Sequence, residues 1–105
     1  MLNFVNQQKL SLEDLCRLMS VNPAQIFKAK GKGGIHPGQD ADFTVVDLKK
    51  TKTLDDKAIA SQCGWTPYHG QSITGWPKAT WIRGQKVMED DKVTAQKQGQ
   101  KVQFQ

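Results

Sequence analysis

The stretch 77-PKATWIRGQKVMEDDKV-93 predicts the fold, because it has the pattern of a β-hairpin followed by a second turn. Residues 79–83 alternate in side-chain character with a period of two, which is typical of a strand with one covered face. Arg83-Gly84 fits a two-residue hairpin turn in which the glycine takes a positive φ. Residues 86–89 then form the return strand, and Asp90-Asp91 turns the chain again.

Two helices are predicted upstream of the hairpin. Ser11 with Asp14 three residues later has the pattern of a capping box, in which the serine oxygen accepts from a free backbone N–H. One helical face running to about residue 20 is apolar, and its members are Leu12, Leu15, Cys16 and Met19. Asn22 as an N-cap and Pro23 at a first helical position predict that the chain restarts there as a short helix over about 23–28.

The remaining segments predict strands and loops. Residues 42–48, DFTVVDL, are rich in strand-forming side chains, and 49–60 fit a strand end followed by a turn of helix. Residues 61–70 predict an irregular loop, and 101–105 alternate in the manner of an edge strand. Sequential helices followed by a hairpin predict an α+β fold rather than repeated βαβ units.

The length and composition limit the kind of protein that this chain can be. A length of 105 residues with 37% hydrophobic residues fits a single globular domain. Apolar runs are only a few residues long, whereas a membrane span needs about 20, so no membrane span is expected. The first residues lack the basic and apolar regions of a secretory signal, so we expect a cytoplasmic protein with reduced thiols. Cys16 is expected to be buried on its helix face.

The net charge of +5 comes mainly from lysine, with 13 Lys and 2 Arg. Because bidentate recognition of phosphate and guanine favours arginine, this balance disfavours nucleic-acid binding. Most of the lysines are scattered, which is typical of a solvated surface. Weak RNA binding by this surface stays open as an alternative.

The ionisable side chains do not form a complete catalytic cluster in the sequence. His36 and His69 lack the spacing of metal ligands and are expected in exposed loops, although a site made from them and Cys63 stays open. The acidic clusters are predicted to bond turn amides rather than to act as acids and bases, and they are Asp40/Asp42, Asp55/Asp56 and Glu89/Asp90/Asp91. The glycine-rich segment 31–38 leads toward a strand, which disfavours a phosphate cradle.

Aromatic side chains concentrate late in the chain, at Trp65, Tyr68, Trp76 and Trp81. A platform for stacking bases would need interleaved basic residues, and this stretch offers only Lys78 and Arg83. Packing of the tryptophans in a core is therefore favoured.

Residues 22–48 resemble the C-terminal part of a cyclic amidohydrolase. That family has Asn-Pro-Ala, then Gly, then Pro-Gly-x-Asp-Ala-Asp before a strand, matched here by Asn22, Pro23, Ala24, Gly34, Pro37, Gly38, Asp40, Ala41 and Asp42. A second stretch, 61–93, resembles dihydroorotase of the type also found in multifunctional pyrimidine enzymes. Its matching residues are Gly64, Trp65, Thr66, Pro67, Tyr68, Gly70, Gly75, Ile82, Arg83 and Gly84. Hydantoinase and allantoinase are the alternatives within the family.

The resemblance implies a metal-dependent (β/α)8 barrel beside a small β-sandwich built from both chain ends. Residues 1–10 would be a polar lead-in, 11–93 the last barrel helix and sandwich strands, and 94–105 a flexible polar tail. The family's zinc ligands are a His-x-His pair, a carboxylated lysine, two further histidines and an aspartate. No position here matches them, so no catalytic residue, metal ligand or cofactor is predicted in this chain.

These expectations make the chain a C-terminal fragment or remnant of a dihydroorotase-like enzyme, structural and inactive by itself. Pro67 and Gly70 would shape a loop, Trp65 and Trp81 would supply core area, and Gly84 would close the hairpin. The expected partner is a second copy or a barrel-bearing amidohydrolase segment. The alternative is a stand-alone binding or assembly module.

Overall fold

The computed structural model describes residues 1–94 and 99–105 and has the predicted α+β architecture. Three short helices come first: α1 (Leu2–Asn6), α2 (Leu12–Cys16) and α3 (Asn22–Ile26), with a π-helical segment, Arg17–Val21, between the last two. The described residues then form one antiparallel sheet in the order β1-β2-β3-β4. Its strands are Phe43–Thr53, Ser72–Ile82, Gln85–Glu89 and Lys92–Val93. No helix in the described ranges is both long and apolar enough to cross a membrane.

The helical run from Leu12 to Ile26 is continuous, so the predicted restart at Asn22 is wrong. Asn22 has helical backbone angles (φ −62°, ψ −46°), and its N–H donates to the carbonyl of Arg17 five residues earlier. This wide π turn accommodates Pro23, which has no N–H and whose ring would crowd the carbonyl of a regular helical turn. The start of the run is as predicted, since Ser11 Oγ accepts from the Asp14 N–H at 3.0 Å.

The hairpin between β2 and β3 closes at Arg83-Gly84, as the sequence predicts. Both residues have positive φ values, 47° and 78°, which defines the turn type whose twist matches that of paired strands. Asp90-Asp91 makes the second predicted turn, with φ values of 46° and 66°. Residues 56–58 form the single helical turn expected after β1.

Strand β1 is a long edge strand with two irregularities in its pairing with β2. They lie between Val45 and Val46 and between Asp47 and Thr51. At the second one, Asp47 Oδ1 accepts from the N–H groups of Lys49 and Lys50, at 2.9 and 3.1 Å. The hydrogen bond from the Lys49 N–H has the largest effect and lowers the pKa of Asp47. Desolvation opposes it and the bond from the Lys50 N–H adds to it, so the pKa of Asp47 is lowered overall. The edge is therefore bent and lysine-rich, which discourages pairing with another strand.

Helix α1 lies in the segment for which the sequence predicts only a polar lead-in. Strand β3 pairs with β2 from Ala79 onward, so α1 borders the earlier part of β2. Asn3 Oδ1 accepts from the Thr74 N–H at 3.0 Å, and Asn6 Nδ2 donates to the Thr74 carbonyl at 3.1 Å. Two side-chain amides thus satisfy backbone groups that a neighbouring strand would otherwise pair.

The C-terminal residues pair with the end of the helical run and do not extend the sheet. Phe104 forms an antiparallel bridge with Ala29. The possible edge strand over 101–105 is therefore placed elsewhere, because the backbone groups of Lys28 and Lys30, beyond the helix end, bond to Gln105 and Gln103. Residues 95–98 of the predicted tail lie outside the described residues.

The hydrophobic core is small. Among the described residues, Leu15 and Ala79 are the buried hydrophobic side chains. Cys16 is exposed and Trp65 is 59% exposed, so the expectations that they are buried are wrong. The radius of gyration is 15.2 Å, against about 13 Å for a compact domain of this length. Leu18, Met19 and Ile26 of the helical run are also exposed.

Substituting Gly75 should destabilise the fold by displacing α1. A Cβ at Gly75 would lie 2.6 Å from the Leu2 Cβ, and the residue has φ +98°. We expect Gly75→Ala to lower the free energy of unfolding by about 3 kcal/mol, from the clash and the left-handed backbone together. Gly38→Ala is the matched control, since Gly38 has φ +90° and open space around it. It should lose about 1 kcal/mol. Equal losses in urea denaturation would show that α1 is not seated on Gly75.

Candidate functional site

The Pro-Gly-x-Asp-Ala-Asp segment ends in an ionic cluster, here called the Asp42 clasp, formed by Lys32, Asp40, Asp42 and the backbone of Arg83. Asp42 Oδ1 accepts from the Arg83 N–H at 2.7 Å, and Lys32 Nζ pairs with both Asp42 Oδ2 and Asp40 Oδ2. The Gly84 N–H adds a bond of 3.0 Å to the Ala41 carbonyl. The clasp therefore joins the glycine-rich loop, the start of β1 and the hairpin turn.

The electrostatics of the clasp favour its charged form. Partial burial raises the pKa of Asp42, but hydrogen bonds from Lys32 and from the Arg83 N–H outweigh burial and hold that pKa below its ordinary value. The carboxylates of Asp40 and then Asp42 raise the pKa of Lys32. The cluster is thus a salt-bridged structural junction in which Lys32 and Asp42 remain ionised at neutral pH.

The Asn-Pro-Ala segment packs against the same glycine-rich loop. A Cβ at Gly33 would lie 2.6 Å from the Ala24 Cβ, and Gly33 has φ +96°. Small residues are therefore needed on both sides of this helix-to-loop contact. Asn22 and Pro23 form the wide turn described above, while Pro37 and Gly38 form the exposed turn before the clasp. Sequence reasoning did not predict the partners of Lys32 or Gly33, because only the folded loop brings these residues together with them.

The loop 61–70 is organised by Asp56 and His69. Asp56 Oδ1 accepts from the Thr66 N–H at 2.8 Å, and His69 Nδ1 accepts from the Asp56 N–H at 3.1 Å. Gly70 donates its N–H to the Leu54 carbonyl at 2.8 Å, with φ +76°. Pro67 lies within the same loop. The carboxylates that were predicted to bond turn amides do so at Asp42, Asp55 and Asp56.

The third acidic cluster behaves differently. Asp91 Oδ1 accepts from the Trp76 indole N–H at 2.7 Å, and its other oxygen pairs with Lys52. Lys52 and then Trp76 lower the pKa of Asp91. Lys52 Nζ also lies 5.0 Å from the Trp76 ring centroid, and Trp81 stacks on Phe43 at 5.0 Å. Trp76 and Trp81 therefore have partners within the protein, whereas Trp65 and Tyr68 are exposed.

Zinc has no fitting donor set in the described residues. No three His, Cys, Asp or Glu side chains in residues 1–94 and 99–105 are arranged to hold a metal ion. His36 and His69 are both exposed, as expected, and lie on separate loops. His69 Nδ1 is taken up by a backbone amide, so this ring is used to hold its loop.

Three comparisons identify the class of protein. The sequence profile described as "Amidohydrolase family" matches residues 5–88, and the chain belongs to this family. It is 42% identical over 102 residues to the dihydroorotase of Pyrococcus abyssi, a match covering 97% of this chain and 25% of that protein. It is 39% identical over 87 residues to the allantoinase of Streptomyces avermitilis, covering 83% of this chain and 20% of that protein.

Among solved structures, the L-hydantoinase (dihydropyrimidinase) from Arthrobacter aurescens has the same fold, with a TM-score of 0.86 at 35% identity. That match covers 90% of this chain and 22% of the hydantoinase chain. The chain thus spans about a quarter of the length of the first relatives it matches. The family resemblance drawn from the sequence is confirmed.

Removing the charge of Asp42 should weaken the fold in a pH-dependent way. Because the pKa of Asp42 is lowered on folding, Asp42 contributes stability that is lost as pH falls below about 4. Because the pKa of Lys32 is raised on folding, Lys32 contributes stability that is lost as pH rises above about 10. Asp42→Asn should therefore lose about 2 kcal/mol at pH 7 and show a flatter acid limb. The control Asp14→Asn breaks an exposed pair with Arg17 and should lose at most about 0.5 kcal/mol. Parallel pH profiles for Asp42→Asn and the wild type would contradict the clasp.

Cys63 should react faster than an ordinary exposed cysteine. Its Sγ lies 3.3 Å from Ser61 Oγ and 3.4 Å from the Trp65 carbonyl. The serine is the largest influence and lowers the pKa of Cys63, which increases the thiolate fraction at neutral pH. In Cys16→Ser protein, Ser61→Ala should slow the reaction with a disulfide reagent severalfold. Labelling of Cys16 in Cys63→Ser protein serves as the control, and an unchanged Cys63 rate would exclude the Ser61 effect.

Proposed function

We propose that this chain forms the non-catalytic supporting layer of a dihydroorotase-like cyclic amidohydrolase and corresponds to the C-terminal part of that enzyme. The proposal rests on the exposed apolar side chains of the helical run. The chain matches only about a quarter of the length of the dihydroorotase from Pyrococcus abyssi. A layer of this kind folds against a larger body and braces it.

The exposed apolar residues support a covering partner. Leu18, Met19 and Ile26 lie on the helical run, and Ile26 is 73% exposed. Phe27 follows the run and is 67% exposed, and Ile35 in the glycine-rich loop is 80% exposed. Burying one large apolar side chain is worth about 1.5–3 kcal/mol, so several together offset the entropy lost on association. An amidohydrolase barrel is the proposed partner, and a second copy of this chain would cover the same side chains in its absence.

The catalytic groups would come from the partner. The proposed reaction of the complete enzyme is the reversible ring closure of carbamoyl-aspartate to dihydroorotate, in line with the activity named for the Pyrococcus abyssi relative. Because the described residues hold no metal-binding set, this chain would contribute stability and orientation but no reacting group. The similar allantoinase and hydantoinase leave those cyclic amides as the competing substrates of the parent enzyme.

A stand-alone assembly module is the second candidate, and the edge of β1 favours it. The bend at Asp47 and the lysines at 49, 50 and 52 discourage strand pairing along this edge. A sheet edge protected in this way suits a chain that is soluble before it meets a partner. In this case the helical run would still be the contact surface.

A chimaera tests the supporting role. We expect that replacing the matched 102 residues of the Pyrococcus abyssi dihydroorotase with this chain keeps metal-dependent ring closure within about tenfold of the parent. The 105-residue chain assayed by itself should show no turnover. A soluble, folded chimaera without activity would contradict the supporting role, and so would turnover by the purified chain with contaminants excluded.

The contact surface is tested in the same chimaera. Ile26→Asp with Phe27→Asp should abolish activity and soluble assembly, because two charges would be buried against the barrel. Val93→Asp is the matched control, since Val93 is 82% exposed at the far end of the sheet. It should leave activity unchanged. Equal tolerance of both changes would favour the stand-alone module.

A further inference from the structure

The helical run changes from α to π geometry over Arg17–Val21 and returns to α geometry at Asn22. The Asn22 N–H donates to the Arg17 carbonyl five residues earlier, whereas a regular helical bond spans four residues. The π turn therefore takes up one residue more than a regular turn. Each residue of an α-helix advances about 100° around the axis, so the extra residue rotates α3 by about 100° relative to α2.

This rotation decides which earlier residue Ala24 lines up with. In an uninterrupted α-helix, residues seven positions apart lie almost on the same face, so Ala24 would face the same way as Arg17. Because the π turn takes up one residue, Ala24 lines up instead with Cys16, eight positions earlier. The small side chain of Ala24 is thus moved from the side of Arg17 to the side of Cys16.

The two sides of the run have different surroundings. On one side, Arg17 is 63% exposed and pairs with Asp14. On the other side, Cys16 borders the cleft between the helical run and the sheet, together with Val21 and Gly33. The glycine-rich loop therefore lies on the side toward which the π turn rotates Ala24.

The contact at Gly33 shows how closely the rotated segment approaches this loop. A Cβ at Gly33 would lie 2.6 Å from the Ala24 Cβ. The same Cβ would lie 3.3 Å from the Ser20 carbonyl oxygen and 3.7 Å from the Val21 Cα. The loop backbone is thus seated on the end of the π turn and the start of α3. An approach this close requires a small residue at position 24 that is turned toward the loop.

The same rotation turns Ile26 away from the loop. Ile26 follows Ala24 by two positions, which places it about 200° further round the helix and so on the opposite side. Its side chain is 73% exposed. Ile26 belongs to the surface proposed to meet the barrel, so the π turn also aims that surface. This second consequence rests on the proposed function, whereas the contact between Ala24 and Gly33 is a property of this chain alone.

We propose that the π turn Arg17–Val21 is a conformational device that rotates α3 so that Ala24 packs on Gly33 and Ile26 faces outward. The packing of the loop against the run holds the turn, and Pro23 is tolerated because the wide turn has room for its ring. The competing cause is Pro23 itself, since its ring would crowd the carbonyl of a regular turn. The two causes predict opposite results when the proline is replaced.

Pro23→Ala in the full chain separates the two causes. We expect the variant to keep the π turn, because the contact between Ala24 and Gly33 still holds α3 in its rotated position. The measurement is the nuclear Overhauser effect between the Ala24 methyl group and the Gly33 α protons, with the wild-type chain as reference. Loss of this signal in Pro23→Ala protein, whether folded or unfolded, would overturn the proposal and assign the turn to the proline.

Length changes within the π turn test the rotation directly, in the Pro23→Ala background. Deleting Leu18, which is exposed in this turn, should leave a regular α-helix in which Ala24 still lines up with Cys16. The signal between Ala24 and Gly33 should remain, and the urea midpoint should shift by less than about 0.5 M.

Inserting one alanine after Leu18 is the matched control. It should rotate Ala24 by about a further 100°, abolish the signal to Gly33 and lower the urea midpoint by about 1 M or more. A deletion variant that unfolds would contradict the proposal, because the rotation would then not be what the turn supplies. An insertion variant that keeps both the signal and the midpoint would contradict it as well.

Discussion

The interaction between Asp42 and the Arg83 N–H holds the parts of this small structure in register. The hairpin turn needs two residues with positive φ, and one of them, Arg83, is not glycine. A carboxylate that accepts from its N–H compensates for that backbone cost and ties the turn to the start of β1. Lys32 binds the same carboxylate, so the glycine-rich loop and the helical run before it are positioned from the same point.

The helical run and the free edge of the sheet are built differently. The helical run presents apolar side chains that gain free energy only when another body covers them. The free edge of β1 presents lysines and a bend that keep other strands away. A chain with an apolar helical face and a charged, bent sheet edge is suited to association with one defined partner and disfavours open-ended strand pairing.

Local chemistry along the sequence determined the capping of α2 at Ser11, the turns at Arg83-Gly84 and Asp90-Asp91, and the family to which the chain belongs. These features depend on residues close together in the chain, whose turn and cap preferences act over a few positions. Only the tertiary structure decided that Asn22 continues a helix, that α1 seats on Gly75, and that Cys16 and Trp65 are exposed. The helix continues through Asn22 because the chain adopts a π turn there, a choice that the cap preferences of Asn22 and Pro23 do not predict. The other outcomes depend on whether a distant segment covers or crowds the residue, and an amphipathic pattern shows that a face is apolar but not what covers it.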